Sequence, residues 1–353
     1  MRLVYVSPGP LDAKAVEGLE QYAATWPGTI IALIPAGHAV ETEPSGIHTV
    51  PAKVADRLDA VASLDPDVVL ALHRPENIGL TRIAPTVLTA EVTKRIRTDL
   101  LRVSARGAIN HARIKVGQTR LEHTYRSMSR SAAGLQCNGY AAWDAYAGLN
   151  ANPMRFRDHR IRESDLTLAR ERSTWDGRRP LRVVFSGRVT AIKGPRTVLA
   201  VAALLPNVEF VILGEGDQKD ELAAVAPSNV LFESFLPFAE WTSYMREHAD
   251  LALLPHPQGD PSCTYYEALG CGVPVIGLPN TTWAQLANAE GLGWAEPDAR
   301  SLATRIQVLR PEDLHRVRQR ALATLEPFER VAARRVSHLV EVASSSTRIA
   351  KRP

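Results

Sequence analysis

The sequence predicts an α/β protein made of two Rossmann-like domains. Short runs of β-branched and aliphatic residues alternate with longer segments of helical periodicity, a pattern typical of parallel sheets buried on both faces. The alternation occurs twice, and a length of 353 residues is enough for about two domains. Hydrophobic residues make up 45% and charged residues 23% of the chain, as in soluble globular proteins, which excludes a disordered chain and a membrane-embedded body.

The first series of elements is basic and partly irregular. A long basic helical stretch is predicted over roughly Pro85–Arg130, broken at Gly107 and Gly117, and the last strand of the domain is expected at Leu135–Cys137. An Asn138-Gly139 turn follows and is a candidate for facing a ligand cleft. Before this stretch, apolar runs predict strands and helices at Leu3–Ser7, Ala13–Thr25, Thr29–Ile34, Val54–Ser63 and Val68–Leu72.

The second series is more regular and follows a polar, strand-poor segment, residues 151–179, that we interpret as an interdomain linker. The domains then span residues 1–150 and 180–326, with a crossover helix and tail over 327–353. Helix starts are indicated at Pro195, Pro237, Ser262 and Asn280-Thr281, and the pattern is entirely helical from Pro311 to about Ser346. The predicted strands lie at residues 181–187, 208–214, 230–235, 251–255 and 274–278.

Charge and cysteine content narrow the functional classes. The net charge of the chain is +4, but residues 91–130 contain ten basic residues and only three acidic ones. Such a basic segment can contact an anionic membrane surface, bind an anionic acceptor or simply form a solvated helix face. This segment has one aromatic residue, Tyr125, and no nucleic-acid-binding motif, so nucleic acid is not an expected partner. The three cysteines lack metal or disulfide spacing, and the apolar run before Pro8 is too short for a signal peptide, so we expect a cytoplasmic protein.

Residues that follow the predicted strands are candidates for binding a ligand, because ligands of doubly wound sheets sit at the carboxyl ends of the strands. Gly187-Arg188 follows one strand, and Lys193-Gly194 opens the next helix, so two cations and a helix N-terminus converge in a way that suits a diphosphate. A pair of solvated surface cations is the alternative. Two further glycines flank Glu215, at positions 214 and 216, and permit close approach of a ligand to the backbone.

The loop after the strand at 251–255 carries a second candidate group. Ser262, Cys263 and Thr264 form a helix N-terminus whose amides face an anion, and Glu267 lies about one turn further along. A carboxylate there can accept hydrogen bonds from a ribose diol, or it can merely complement the helix dipole.

These runs resemble a known family. In order and spacing, VVFSGRVTAIKG, VEFVILGEGD and LALLPHPQGDPSCTYYEALGCGVPVIG resemble the carboxyl-terminal domain of retaining GT-B glycosyltransferases of family 4. The resemblance covers about residues 181–300 and implies two facing Rossmann-like domains with a C-terminal helix crossing back to the first. It implies that Arg188 and Lys193 hold the donor diphosphate, that Glu267 binds the ribose, and that amides of Ser262 to Tyr265 contact the phosphates.

The resemblance also assigns the remaining candidates. Leu236-Pro237 would lie near the base, and the loop around Gly9 would stand where the family has a glycine-rich loop that approaches the donor. His73, just after a strand, matches an active-site histidine, although a histidine in such a place is often structural.

One position departs from the family pattern, which has two glutamates eight residues apart. The earlier position is Gly259, with Asp260 beside it, whereas the family glutamate contacts the donor sugar. Either Asp260 replaces it through a shifted loop, or backbone groups alone hold the sugar.

We therefore expect a metal-independent reaction that transfers a hexose with retention of the anomeric configuration. The donor would be a UDP- or GDP-linked sugar, which is a substrate and not a cofactor, and the acceptor a glycan, a lipid-linked molecule or a small molecule. Polysaccharide or glycoconjugate biosynthesis would use such a reaction. A nucleotide-sugar epimerase and a non-catalytic nucleotide-sugar binder are the alternatives. Asp65-Pro66-Asp67 precedes a strand and is interpreted as a turn rather than a metal-binding DxD motif, and the chain has no HExxH, GxxxxGK[ST], GxSxG or GxGxxG motif at the required place.

Overall fold

The computed structural model describes residues 1–37, 45–104, 107–259 and 261–350. The chain forms two compact units. The first unit consists of Met1–Lys94, Lys115–Phe156 and Glu329–Pro353, and the second unit of Arg95–Ile114 and Arg157–Phe328. Each unit is built around one parallel sheet with helices, which confirms the predicted α/β class with two Rossmann-like domains.

The first unit contains a seven-stranded parallel sheet in the order β3-β2-β1-β4-β5-β6-β7. Its strands read as nearly continuous apolar runs because both faces of the sheet are covered. The strands are β1 (Arg2–Val6), β2 (Thr29–Pro35), β3 (Ile47–Ala52), β4 (Val68–Leu72), β5 (Thr86–Ala90), β6 (Gly134–Asn138) and β7 (Pro153–Phe156).

The helices of this part of the chain include two that carry the basic segment. Asp12 begins the first helix by accepting a hydrogen bond from the amide of Ala15 at 2.8 Å. The helices are α1 (Ala13–Ala23), α2 (Arg57–Ser63), α3 (Lys94–Ser104), α4 (Ala108–Ser131) and α5 (Gly139–Tyr146), with short 3₁₀ helices at Pro75–Arg82 and Ala147–Leu149.

The second unit contains a six-stranded parallel sheet in the order β10-β9-β8-β11-β12-β13. Its core includes Phe185, Phe210 and Leu253 from the sheet and Leu302 from a covering helix. The strands are β8 (Arg182–Ser186), β9 (Glu209–Leu213), β10 (Val230–Glu233), β11 (Leu251–Leu253), β12 (Val275–Gly277) and β13 (Gly293–Ala295). The helices are α6 (Glu163–Glu171), α7 (Pro195–Leu204), α8 (Lys219–Ala224), α9 (Phe238–His248), α10 (Cys263–Gly270), α11 (Trp283–Asn288), α12 (Ala299–Val308) and α13 (Pro311–Thr324).

The last helix, α14 (Phe328–Ala350), returns to the first unit, as predicted. Its buried residues Val336, Leu339 and Val342 join the core formed by β1, β2 and α1. Residues 325–327, including Pro327, separate it from α13, so the predicted uninterrupted helical stretch from Pro311 has one break, because proline cannot continue a helix. Within the described parts of the chain, none of the helices is both long and apolar enough to span a membrane.

The predicted helical stretch over Pro85–Arg130 is wrong at its start and at one of its breaks. Residues Thr86–Ala90 form the fully buried strand β5, since this short apolar run has no helical period to distinguish it. The chain does break at Gly107, whose φ of +84° favours glycine, but α4 runs straight through Gly117.

The predicted linker also differs from the structure. Segment 151–179 contains β7, which pairs in parallel with β6, and helix α6, so Leu135–Cys137 is not the last strand of its sheet. The four-residue strand β7 is too short to show a pattern in the sequence. The predicted Asn138-Gly139 turn is the junction of β6 and α5, with Gly139 at a φ of +75°. The edge strands β3 and β13 were not predicted, because they are short or interrupted by polar residues.

Candidate functional site

Two glycine-containing loops are joined at the carboxyl edge of the second sheet. The loop after β8 begins at Gly187 and the loop after β9 at Gly214, with φ values of +143° and +147°. A Cβ on Gly214 would lie 3.0 Å from the carbonyl carbon of Gly187 and closer still to its oxygen, so no side chain fits there. The amide of Val189 donates to the carbonyl of Glu215 at 2.8 Å, and Gly216 packs against the backbone of Val189 in the same way. These predicted glycines therefore allow the two loops to touch.

Glu215 connects this pair of loops to the loop after β10. Lys219 donates a hydrogen bond to its carboxylate at 2.7 Å, which together with hydrogen bonds from Ser234 and the amide of Phe235 holds the pKa of Glu215 below its ordinary value. The exposed residue Phe235 directly precedes Leu236-Pro237, which lies in the same loop.

Lys193 and Gly194 bring the loop after β8 against the loop after β11. Gly194 has a φ of +73°, and a Cβ there would lie 3.1 Å from the carbonyl carbon of Pro255, so glycine is required at this position. Lys193 is only 8% exposed, and its Nζ donates to Ser262 Oγ at 3.2 Å. Ser262 is the N-cap of α10, so a buried ammonium lies at the N-terminus of that helix. The side chain of Arg188 is exposed and makes no hydrogen bond or ion pair with any residue that the structure describes.

Helix α10 carries the predicted carboxylate on a buried turn. Glu267 is 7% exposed, and its Oε1 lies 3.6 Å from Nε of Arg160, whose guanidinium stacks 3.8 Å above the ring of Phe238. At the start of the helix, the hydroxyl of Ser262 lies 3.4 Å from that of Thr264, and the thiol of Cys263 donates to Asp158 at 3.3 Å. The helix N-terminus and Lys193 provide positive charge, which suits a diphosphate, and Glu267 provides an acceptor for hydroxyl groups.

Asn280 organises this region and was assigned only a helix-start role by the sequence. Its Nδ2 donates to the carbonyl of His256 at 3.0 Å and to the hydroxyl of Tyr265 at 2.9 Å, while its Oδ1 accepts from the amides of Thr282 and Trp283. Tyr265 is fully buried and stacks on Trp283, with ring centroids 5.0 Å apart, so it supports α10 from within the core.

His256 is a buried residue that sequence reasoning missed. It follows β11 and is 0% exposed, and neither ring nitrogen has a hydrogen-bond partner among the described residues. Burial, together with the nearby ammonium of Lys193, holds the pKa of His256 well below 6.5, so the ring is neutral at physiological pH. Only the cluster of glycines and polar residues after the strand could have drawn attention to it.

The structure places most of the predicted site residues in the segments that follow the strands at one edge of the second sheet, either in loops or in the first turns of α10. These are Gly187, Arg188, Lys193, Gly214, Glu215, Gly216, Leu236, Pro237, Ser262, Cys263, Thr264, Tyr265 and Glu267. Asp260 lies outside the described residues, so its predicted replacement of the family glutamate stays a prediction.

His73 and Gly9 belong to the first unit. His73 follows β4 and is buried, with Nε2 donating to the carbonyl of Tyr125 at 2.8 Å. The rings of Tyr125 and Tyr146 lie edge-on to it, both at 4.9 Å between centroids. These are packing contacts within the unit, and a catalytic role of His73 stays a prediction. The carbonyl of Gly9 accepts a hydrogen bond from the hydroxyl of Ser7 at 2.7 Å.

The acidic pair before β4 forms a turn. Asp65 has a φ of +44°, and the carboxylate of Asp67 accepts a hydrogen bond from the amide of Arg2 at 2.6 Å. This arrangement places the pair at the amino end of β4, away from the edge where ligands of such sheets bind.

Comparison with known proteins gives a partial family match and a fold match over the whole chain. Residues 180–310 match the family model described as "Glycosyl transferases group 1". No curated protein matches the chain in sequence.

Three solved structures are similar over nearly their whole length. Sucrose-phosphate synthase from Thermosynechococcus elongatus has a TM-score of 0.63 and 14% identity, covering 99% of this chain and 98% of that one. Anabaena Alr3699/HepE in complex with UDP and glucose has a TM-score of 0.63 and 15% identity, covering 98% and 99%. WaaG, a glycosyltransferase involved in lipopolysaccharide biosynthesis, has a TM-score of 0.59 and 14% identity, covering 99% and 100%. This likeness confirms the predicted GT-B fold class.

Proposed function

We propose that the chain is a glycosyltransferase that takes its sugar from a nucleotide-sugar donor bound by the second unit. The observation that carries the proposal is the contact between Lys193 and Ser262, which joins a buried ammonium to the N-terminus of α10. A cation and a helix N-terminus at the carboxyl edge of a parallel sheet form a site for a diphosphate. The family match over residues 180–310 covers every element of this site and supports the proposal.

The proposed reaction breaks the bond between the anomeric carbon and the diphosphate and forms a bond from that carbon to an acceptor hydroxyl oxygen. The hydroxyl proton passes to a diphosphate oxygen, and the nucleoside diphosphate leaves. Negative charge grows on the leaving group, so Lys193, Arg188 and the α10 amides would stabilise the transition state more than the ground state. Attack from the face that the leaving group vacates would retain the anomeric configuration.

The nucleoside would occupy the side of the site formed by the loops after β9 and β10. Glu267 is buried beside Arg160 and offers carboxylate oxygens to a ribose diol. The backbone around Leu236-Pro237 would meet the base. A UDP-linked sugar is the first donor to test, because the structure of Anabaena HepE contains UDP and glucose.

Thermal unfolding with UDP, GDP, ADP and their sugar nucleotides tests the donor proposal, since a ligand that binds only the folded state raises Tm. We expect one nucleoside diphosphate to give a clear shift that falls in Arg188→Ala. The control is Arg196→Ala, because Arg196 on α7 is also exposed but pairs with Glu221 on α8 at 2.6 Å. No shift with any nucleotide would refute the proposal.

Product analysis with the binding donor then separates the alternatives. Transfer requires an acceptor, an epimerase converts the donor without one, and a binding protein does neither. A panel of glycan, lipid-linked and small-molecule acceptors covers the acceptor classes that the proposal allows.

We also propose that the basic segment contacts an anionic membrane surface from the cytoplasmic side. On α4, Lys115, Arg120 and Arg130 are exposed together with the apolar Val116. Each surface cation near anionic lipid contributes about 1 kcal/mol at low salt. Sedimentation with phosphatidylglycerol vesicles should show salt-sensitive binding that phosphatidylcholine vesicles do not support. Reversing the charge of Lys115 and Arg120 should abolish it, and binding that survives this change would contradict the proposal.

A further inference from the structure

Thr281 fills the space into which a side chain at position 259 would project. A Cβ on Gly259 would lie 2.9 Å from both the Cβ and the amide nitrogen of Thr281, and closer still to the Thr281 hydroxyl. Real side chains do not approach this closely, so position 259 accepts only glycine while Thr281 stands where it does. Thr281 follows β12, the neighbour of the strand β11 that precedes Gly259.

The loop that carries Thr281 is held in place by its neighbours. The hydroxyl of Thr282 donates to the carbonyl of Gly259 at 2.7 Å. Asn280 accepts hydrogen bonds from the amides of Thr282 and Trp283 and donates to the carbonyl of His256. Because hydrogen bonds fix the backbone on both sides of the contact, the two loops hold Thr281 against Gly259.

The order of the strands locates this contact relative to the diphosphate site. The N-terminus of α10 follows β11, with β8, β9 and β10 on one side and β12 on the other. The loops after β9 and β10 form the side proposed for the nucleoside. With the nucleoside on that side, a group attached to the far phosphate would point toward the loop after β12. Thr281 in this loop is half-buried, and its hydroxyl makes no hydrogen bond to a described residue.

We infer that Thr281 is a specificity-determining residue for the donor sugar. It presents a neutral hydroxyl and a backbone N–H where a longer side chain at position 259 would otherwise reach. A sugar in this subsite meets the hydroxyl and N–H of Thr281 and no carboxylate from position 259, so this position imposes no like-charge penalty on an anionic sugar such as a uronic acid. This inference rests on the proposed function, since it assumes a nucleotide-sugar at this edge.

Thermal unfolding of four proteins tests whether Thr281 occupies the space: the wild type, Gly259→Ala, Thr281→Gly and the double variant. We expect Gly259→Ala to lower Tm strongly and the same change on the Thr281→Gly background to lower it much less. Recovery should be partial, because the 2.9 Å approach to the backbone nitrogen remains. Equal losses on both backgrounds would overturn the inference, because independent sites are additive.

Binding of UDP-glucose and UDP-glucuronate tests specificity. The wild type should bind the two within about threefold of each other, and Gly259→Glu with Thr281→Gly should disfavour UDP-glucuronate by about tenfold or more, because like charges repel. Thr281→Ser keeps the hydroxyl and should retain the wild-type ratio. The Kd for UDP serves as reference: no UDP binding counts against the proposed donor, whereas UDP binding with an unchanged sugar ratio overturns the Thr281 inference alone.

Discussion

Replacing Lys193 by Met removes the positive charge proposed to bind the diphosphate while keeping much of the side chain's shape. The Lys193 side chain is 8% exposed, and its ammonium donates a hydrogen bond to Ser262 Oγ at 3.2 Å. Met fills nearly the same space, so we expect the Lys193→Met protein to fold, with its circular dichroism spectrum unchanged.

The expected loss in nucleotide affinity follows from the same contact. A hydrogen bond between a charged donor and a charged acceptor contributes about 1.5 to 3 kcal/mol, which corresponds to about 10- to 150-fold in Kd. Turnover should fall further, by about 10²-fold or more, because the charge on the leaving diphosphate grows in the transition state.

Isothermal titration with UDP and a transfer assay measure the two effects. Arg196→Met is the matched control, since it removes one positive charge from an exposed ion pair between α7 and α8 and should change the Kd by less than threefold. A Lys193→Met protein that is folded and binds every nucleoside diphosphate within threefold of wild type would refute the assignment.

Four further predictions address individual residues. Glu267→Gln should weaken UDP binding about tenfold yet hardly affect 2′,3′-dideoxy-UDP, and equal losses would contradict contact with the ribose. His256 stays neutral in the folded protein, whereas in the unfolded chain it takes up a proton below about pH 6.5. The free energy of unfolding should therefore fall as the pH drops, by up to about 1.4 kcal/mol per pH unit. Urea unfolding between pH 7.5 and 5 should show a smaller fall in the free energy of unfolding for His256→Gln than for the wild type. Gly214→Ala should lower the free energy of unfolding in urea by at least about 2 kcal/mol, because the φ of Gly214 is +147° and a Cβ there would collide with the carbonyl of Gly187. As a comparison, Gly117→Ala inside α4 should raise the free energy of unfolding by up to about 1 kcal/mol. If His73 is catalytic, the His73→Gln protein should have lost turnover even at temperatures well below its Tm, where it is folded. Turnover that returns when the assay is cooled below that Tm would instead indicate that His73 acts only in packing.

Much of the second unit was predictable because its central strands are short apolar runs, and glycine directly follows β8 and β9. The predicted strands at 181–187 and 208–214 enclose β8 and β9, and Pro195 and Ser262 were correctly interpreted as helix starts. The first unit was less predictable, since β3 and β7 lack a clear apolar pattern and β5 looks like part of the helical stretch that follows it.

The sequence by itself determined the α/β class, the two Rossmann-like domains and the set of residues that follow each strand, because hydrophobic periodicity and glycine are local signals. Only the tertiary structure decided which of these residues meet. Lys193 reaches Ser262, Gly259 adjoins Thr281, and Asn280 holds the backbone of His256. Each of these contacts joins loops that follow different strands, and the order and register of strands in a sheet depend on how the whole domain packs.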